Sequence, residues 1–247
     1  MVSLRNIVHF LDDELEIHKF RKDLRNGLVL RGSPEVRRIA VAANTSLANI
    51  RAAAQRKANM LIVHHGGWRQ RDDTLQQKFS LLRRHRMSLY IAHLSLDAKK
   101  GYGNPYALAA HLGLRVQKPF GLLDRHHIGV IARGPRMTFA RFCARVNMKL
   151  NSRLEYMQGK KPSGRVAIIT GSVGRNIQWA RQAAEQGCDT FLCGEATSRF
   201  RLYAAEKGLN LVCAGHTATE RHGLFRLANL LHEQFGVRTV RLKEVLY

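Results

Sequence analysis

What most narrows the fold of this 247-residue chain is a rhythm that runs along its whole length: short apolar runs alternate with longer amphipathic stretches. "RRIAVAAN", "NMLIVHH", "SLYIAHLSLD", which runs into a loop, "HIGVIARG", "GRVAIITGSVG", "DTFLCGE" and "LNLVCAGH" read as strands. Between them lie stretches with helical period and recognisable ends. "TSLANIRAAAQRKA" offers Thr45 or Ser46 as cap, and "DDTLQQKFSLLRRHRM" has acids first and bases last. "NPYALAAHLGL" has Asn104 as cap with Pro105 at the first helical position, and "TFARFCARVNMKL" follows Thr138. "NIQWARQAAEQG" and "TSRFRLYAAEKG" close on Gly187 and Gly208, and "TERHGLFRLANLLHEQFG" is the last helix, before a final strand in "VRTVRLKEVLY". "RLEYMQG" is a further strand, joined to the next by the turn-like "KKPSG". Such alternation predicts an α/β fold with mixed, mostly parallel sheets. The segment near 115–127, with Pro119 and Gly121, is the best boundary, giving halves of 1–120 and 121–247.

Composition allows this fold and bounds the setting. Apolar residues make up 45% of the chain, enough for a sizeable core. No apolar run reaches the roughly 18 residues of a membrane span. The segment "MVSLRNIVHFLDDELEIHKF" mixes charges through its apolar positions, unlike a secretory signal, so a cytoplasmic protein is expected. Cys143, Cys188, Cys193 and Cys213 form no C-x-x-C pair and read as buried, reduced thiols. Forty-one basic against eighteen acidic side chains give +23, spread along the chain. That field attracts phosphate-bearing partners, nucleotide or nucleic acid, or is simply a basic surface.

Open α/β sheets bind ligands at the carboxyl ends of their strands, and here those ends carry histidine. "LIVHHGGW" ends in His64-His65; the next strand ends in His93, with Asp97 four residues on; a later one ends in His216, with Glu220 four residues on. Imidazole and carboxylate together suit zinc, iron, manganese or cobalt. The adjacent pair, followed by Gly66-Gly67, favours two ions over one. Each residue also has a purely structural reading. His93 can be a packed histidine in a strand, Asp97 a cap, and Glu220 half of a capping box with Thr217. His126-His127 opens a strand and lies at the wrong end. His222 reaches at most the edge of such a site.

Three segments in order, "LIVHHGGW", "AHLSLDA" with "GYGNPYALAAHLGL", and "TFLCGEATSRFRLYAAEKGLNLVCAGHTATERHGLFRLANLL", resemble the Nif-three-like dinuclear metal-centre proteins, whose members are described as GTP cyclohydrolase type 2 homologues. The resemblance runs from about Asn26 to the end. It implies two divalent ions per chain held by His64, His65, Asp97, His216 and Glu220. It also implies two similar α/β halves and a toroidal homohexamer with its metal sites facing an internal cavity. The chain departs from many relatives at Gly66, where they carry proline, and after Glu195, where they carry histidine and this chain has Ala196-Thr197-Ser198. Two functions follow as expectations. One is a two-metal hydrolase, cyclohydrolase-like, acting on a nucleotide or other phosphorylated substrate. In it Glu195 is a candidate base or hydrogen-bond acceptor, and Arg199, Arg201 and Arg221 could meet phosphate. The other is a non-catalytic ring that binds metal and holds nucleic acid or handles metal ions. Glu195 also reads as a cap of the following helix.

Overall fold

A computed structural model describes the chain except for residues 21, 22, 24, 25, 67–73, 160, 161, 175 and 245–247. It divides into two compact units. The first comprises Met1–Lys99 with the C-terminal segment that begins at Leu224; the second is Lys100–Gly223.

In the first unit a five-stranded sheet runs in the order Arg238–Arg241, Arg38–Asn44, Met60–His65, Ser88–Ile91, Gly27–Leu30. The first three pairings are parallel and the last is antiparallel. The inner strands are buried along almost their full length, as expected of strands covered on both faces. Crossover helices fall where the sequence puts them. Ser46, not Thr45, caps Leu47–Gln55, its hydroxyl accepting from the Asn49 amide. Thr45 instead donates its hydroxyl to the His65 carbonyl. Leu75–Arg84 ends in Arg83 and Arg84 as expected, while the acids expected to open it, Asp72 and Asp73, lie outside the described residues.

The C-terminal segment, read from the sequence with the second half, packs in the first unit. Leu224, Leu227, Ala228 and Leu231 form a buried stripe at helical spacing. Phe235 meets Phe10 edge to face at 5.3 Å, and Arg238–Arg241 becomes the sheet's outer strand. Glu244 fastens the segment: its carboxylate accepts from the Ala43 and Asn44 amides and from the Asn49 side chain.

The second unit holds a six-stranded sheet in the order Arg115–Leu123, His126–Met137, Ser163–Ile169, Thr190–Cys193, Asn210–Cys213, Glu155–Met157. Only the central two pairings are parallel; both edges are antiparallel. Arg115–Leu123 was read from the sequence as a boundary. It is instead the outer strand of a hairpin that turns on Asp124 and Arg125, both left-handed (φ 45° and 72°). Pro119 is tolerated because the strand lies on an edge. Glu155–Met157 is not the hairpin neighbour of Ser163–Ile169; it crosses to the far edge beside Asn210–Cys213. Phe139, Phe142, Val146, Val166, Ile168 and Leu192 are among the buried side chains of this unit's core. All four cysteines are buried and reduced. Among the described residues no helix is long and apolar enough to cross a membrane.

Candidate metal centre

Each unit gathers its own set of donor side chains at the carboxyl ends of its parallel strands. In the first unit, His64 and His65 close Met60–His65, and Asn44 lies opposite His65 in the parallel register. His93 follows the end of Ser88–Ile91, and Asp97 ends the short helix Leu94–Asp97. That helix forms at the end of the segment "SLYIAHLSLD", after its strand has stopped at Ile91. It brings the Asp97 carboxylate to 3.4 Å from Nε2 of the fully buried His64.

The three imidazoles are oriented from behind. Nδ1 of His64 lies 2.7 Å from the Ala92 carbonyl, which fixes that nitrogen as the donor. Nδ1 of His65 lies 3.1 Å from Oδ1 of Asn44, and Nδ1 of His93 lies 2.7 Å from Oδ2 of Asp23. Asp23 is itself buried and also accepts from the Leu94 amide and the Asn26 side chain. With each Nδ1 engaged, each ring presents Nε2 as a lone-pair donor. One donor nitrogen from each of His64, His65 and His93 lies within 4.8 Å of the other two. Ring centroids are 4.6 Å apart for His64–His65, 5.1 Å for His64–His93 and 5.6 Å for His65–His93. Oriented imidazoles with anchored second nitrogens are the pattern of metal-ligating histidine.

In the second unit the strand Asn210–Cys213 leads through Gly215 (φ 86°) into the helix His216–Glu220. His216 and Glu220 thus stand one helical turn apart, with Nε2 and Oε2 3.1 Å from one another. The other ring nitrogen of His216 lies 3.2 Å from Oε2 of Glu195. Burial alone would lower the His216 pKa, but the Glu220 and Glu195 carboxylates outweigh it and push it up to about 9. Two glycines make the bed for this turn. Gly171 follows Ser163–Ile169 with φ 64°; a methyl there would overlap the Glu220 carboxylate and come within 3.2 Å of His216 Nε2. Gly194, after Thr190–Cys193, lies where a methyl would come within 2.8 Å of Oγ1 of Thr219 and 2.9 Å of His216 Cα. Thr219 in turn accepts from the Gly171 amide and donates to the Gly215 and His216 carbonyls.

Each expected residue has a definite place. His64, His65, His93 and Asp97 gather in the first unit, His216 and Glu220 in the second. Glu195 does not cap the following helix; that role belongs to Thr197, whose hydroxyl accepts from the Phe200 amide. Glu195 is instead the carboxylate that holds His216. Glu220 forms no capping box, because the helix begins at His216 with Gly215 as its cap residue. His222 stacks on His111 with centroids 4.4 Å apart, and burial together with His111 and Arg221 pushes it down to about 3. Arg201 pairs with Glu155 and donates to the Ala196 carbonyl, and Arg221 donates to the Leu150 carbonyl. Both hold the unit together, which leaves Arg199 as the exposed member of the three expected to meet phosphate. His126 and His127 open a strand antiparallel to Ser163–Ile169, with Gly129 opposite Ile169, so they lie at the carboxyl end of the second unit's parallel strands and not at the opposite end expected from the sequence.

Sequence reasoning missed the supporting residues Asp23, Asn26, Asn44, Gly171, Gly194 and Thr219. For the glycines a signal existed: "IITG", "FLCG" and "VCAG" each end a strand with glycine just beyond the apolar run. The donor chemistry, imidazole with carboxylate, is of the kind that can hold a divalent transition ion.

The Duf34/NIF3 (NGG1p interacting factor 3) family matches residues 2–245. A protein of Archaeoglobus fulgidus named "GTP cyclohydrolase 1 type 2 homolog" is 31% identical over 245 residues, spanning 98% of each chain. One of the same name from Pyrococcus abyssi is 33% identical, spanning 95% of each. Among solved structures, protein ybgI, of unknown function, superposes with a TM-score of 0.88 at 25% identity, covering 99% of both chains. TTHA1606 from Thermus thermophilus superposes at 0.84 with 27% identity, covering 99% of both.

Proposed function

The chain belongs to the Duf34/NIF3 family, and from that premise we propose that it is a dinuclear metal-binding protein that acts as a cyclohydrolase-like, metal-dependent hydrolase on a nucleotide or other phosphorylated substrate. Two divalent ions, zinc, iron, manganese or cobalt, are held by His64, His65 and Asp97 from the first unit and His216 and Glu220 from the second. The observation that carries this reading is the anchoring of the donor rings. His64 and His65 have Nδ1 tied to Ala92 and Asn44, and His216 has Nδ1 against Glu195. Rings held this way are set to ligate through Nε2 without rearrangement, which is costly to arrange for histidines that merely fill space.

Bound there, a metal pair supplies an acidified water and a Lewis acid toward the bond under attack. The chain's own groups divide the remaining work. Asp23 holds His93 beside the pair of histidines. Glu195 orients His216 and takes up positive charge that develops on it. Arg199 is left to meet substrate phosphate. The relatives' printed name supports a cyclohydrolase-like chemistry. The net charge of +23 supports phosphorylated substrates, and equally the alternative of a ring-shaped metal-binding protein that holds nucleic acid or handles metal without catalysis.

Metal-reconstituted wild type and His64→Ala, assayed on a panel of nucleoside mono-, di- and triphosphates, separate the two. Turnover by the wild type that is lost in the variant supports the hydrolase. Full metal occupancy with no turnover on any member of the panel supports the binding role.

A further inference from the structure

The first unit carries a second concave site, built at the opposite end of its sheet from His64 and His65. A cavity of about 710 Å³ opens where the parallel strands begin. Arg38 starts one strand, Arg238 starts another, and Asn59 immediately precedes the strand that ends in His65. Along that strand the two ends stand about 17 Å apart. The cavity is lined by Arg37, Arg38, Lys57, Arg86 and Arg238, with Glu35 its sole acid. Among the described residues none of the five cations stands within ion-pair distance of a carboxylate. Arg37 donates to the Met1 sulfur and Arg38 to the Arg56 carbonyl.

Exposed cations alone mean little on so basic a chain. The backbone gives the independent argument. Among the described residues, five helices end in the same hydrogen-bonded reversal, in which a left-handed residue and its successor donate back to the final turn. In the second unit the left-handed residue is glycine each time: Gly113, Gly187 and Gly208, at φ 71°, 71° and 68°. Glycine is the residue this motif prefers, because a Cβ there costs about 1–2 kcal/mol. In the first unit the same positions are Lys57 (φ 56°) and Arg86 (φ 48°). Their amides donate to the Ala54 and Arg83 carbonyls, and those of Ala58 and Met87 to the Ala53 and Leu82 carbonyls. Both residues that forgo glycine in this paired reversal line the cavity; the two other left-handed side chains at helix ends, Glu16 and Asn151, make a different set of bonds and lie outside it. Strained conformations concentrate where they serve binding.

We propose that this cavity binds a compact polyphosphate, free or as the phosphate chain of a nucleotide, at a site separate from the metal donors. Its volume suits a small ligand, and its cations converge on one hollow instead of forming the extended track a nucleic-acid strand needs.

The test is calorimetric titration of full-length, EDTA-treated protein with inorganic tripolyphosphate and with ATP. The variant is Lys57→Gly/Arg86→Gly, which removes two cations while relieving two left-handed side chains, so its melting temperature should hold or rise. The control is Arg115→Ala/Arg133→Ala, which removes equal charge from exposed positions of the second unit. The expected result is tripolyphosphate binding that weakens roughly tenfold in the glycine variant and less than twofold in the control. Tighter binding of ATP than of tripolyphosphate assigns a nucleotide, and equal binding assigns the polyphosphate alone. Equal weakening in both doubles, or no weakening in the glycine variant, overturns the site. A short single-stranded DNA that displaces tripolyphosphate at matched phosphate concentration overturns the small-ligand assignment.

Discussion

Gly171 should be the most informative single position in the second unit. Replacing it with alanine has two separable consequences. Its φ of 64° places the new Cβ in the left-handed region, at a cost of about 1–2 kcal/mol. That Cβ also falls on the Glu220 carboxylate, which is buried and cannot yield without breaking its approach to His216. Gly174→Ala isolates the first term, because Gly174 is left-handed too (φ 56°) but a methyl there meets nothing within 4 Å. For a chain of this size 1 kcal/mol moves the melting temperature by about 2–4 °C. Gly174→Ala should therefore melt about 2–8 °C below wild type with metal content unchanged. Gly171→Ala should lose that and about 1–3 kcal/mol more, the cost of displacing a buried charged group from its partner. It should also lose metal from the His216–Glu220 donors. The assay is a thermal melt of each metal-free protein followed by metal analysis after reconstitution. A Gly171→Ala protein that melts within a degree of Gly174→Ala and holds as much metal as wild type would refute the idea that this glycine exists to admit Glu220.

Three further outcomes are expected. In metal-free protein His216, raised to about 9, is protonated at neutral pH. A metal taking its Nε2 must expel that proton, so affinity should rise with pH up to about 9 and level off above. Calorimetry in buffers of different ionisation enthalpy should find about one proton released at that position, and none released would contradict it. Burial pushes the Cys143 and Cys188 thiols up to about 11, and the Cys213 thiol together with burial holds Cys193 above its ordinary range. A chromogenic disulfide reagent at pH 8 should leave these three unreacted over minutes and count four thiols in guanidinium; two or more fast thiols in the native protein would show the burial to be wrong. Finally, if the chain forms the hexamer its resemblance implies, six copies of +23 repel one another. Light scattering should then show an assembly that loosens as salt falls, and one that tightens at low salt contradicts the charge argument.

The parts of this molecule legible in its sequence are those governed by local rules. Thr138 and Ser46 cap their helices because a hydroxyl before an apolar period has little else to do, and Gly187 and Gly208 end theirs. The central strands read correctly because each is a single apolar run between breakers. The edges did not. Pro119 and Gly121 made the Arg115–Leu123 strand look like a linker, since their meaning depends on an edge position that only the assembled sheet defines. The C-terminal helix reads identically whichever unit it packs on; contacts such as Phe10 with Phe235 and Glu244 with Asn44 decide, at sequence separations no local pattern encodes. The candidate donors His64, His65, Asp97, His216 and Glu220 stand out in the sequence because histidine and carboxylate at strand ends are conspicuous. Asp23 and Asn44 do not, because an acid or amide in a loop carries no sign of which histidine it will hold.

The central claim is that these donors bind metal, and elemental analysis tests it most directly. Protein stripped with chelator, reconstituted in turn with zinc, iron, manganese and cobalt under reducing conditions and desalted, should carry two equivalents of at least one ion per chain. His65→Ala and Glu220→Ala should each carry less while keeping the wild-type circular dichroism, because the α/β cores stand apart from the donors. Less than half an equivalent of every metal in the wild-type protein would contradict the account.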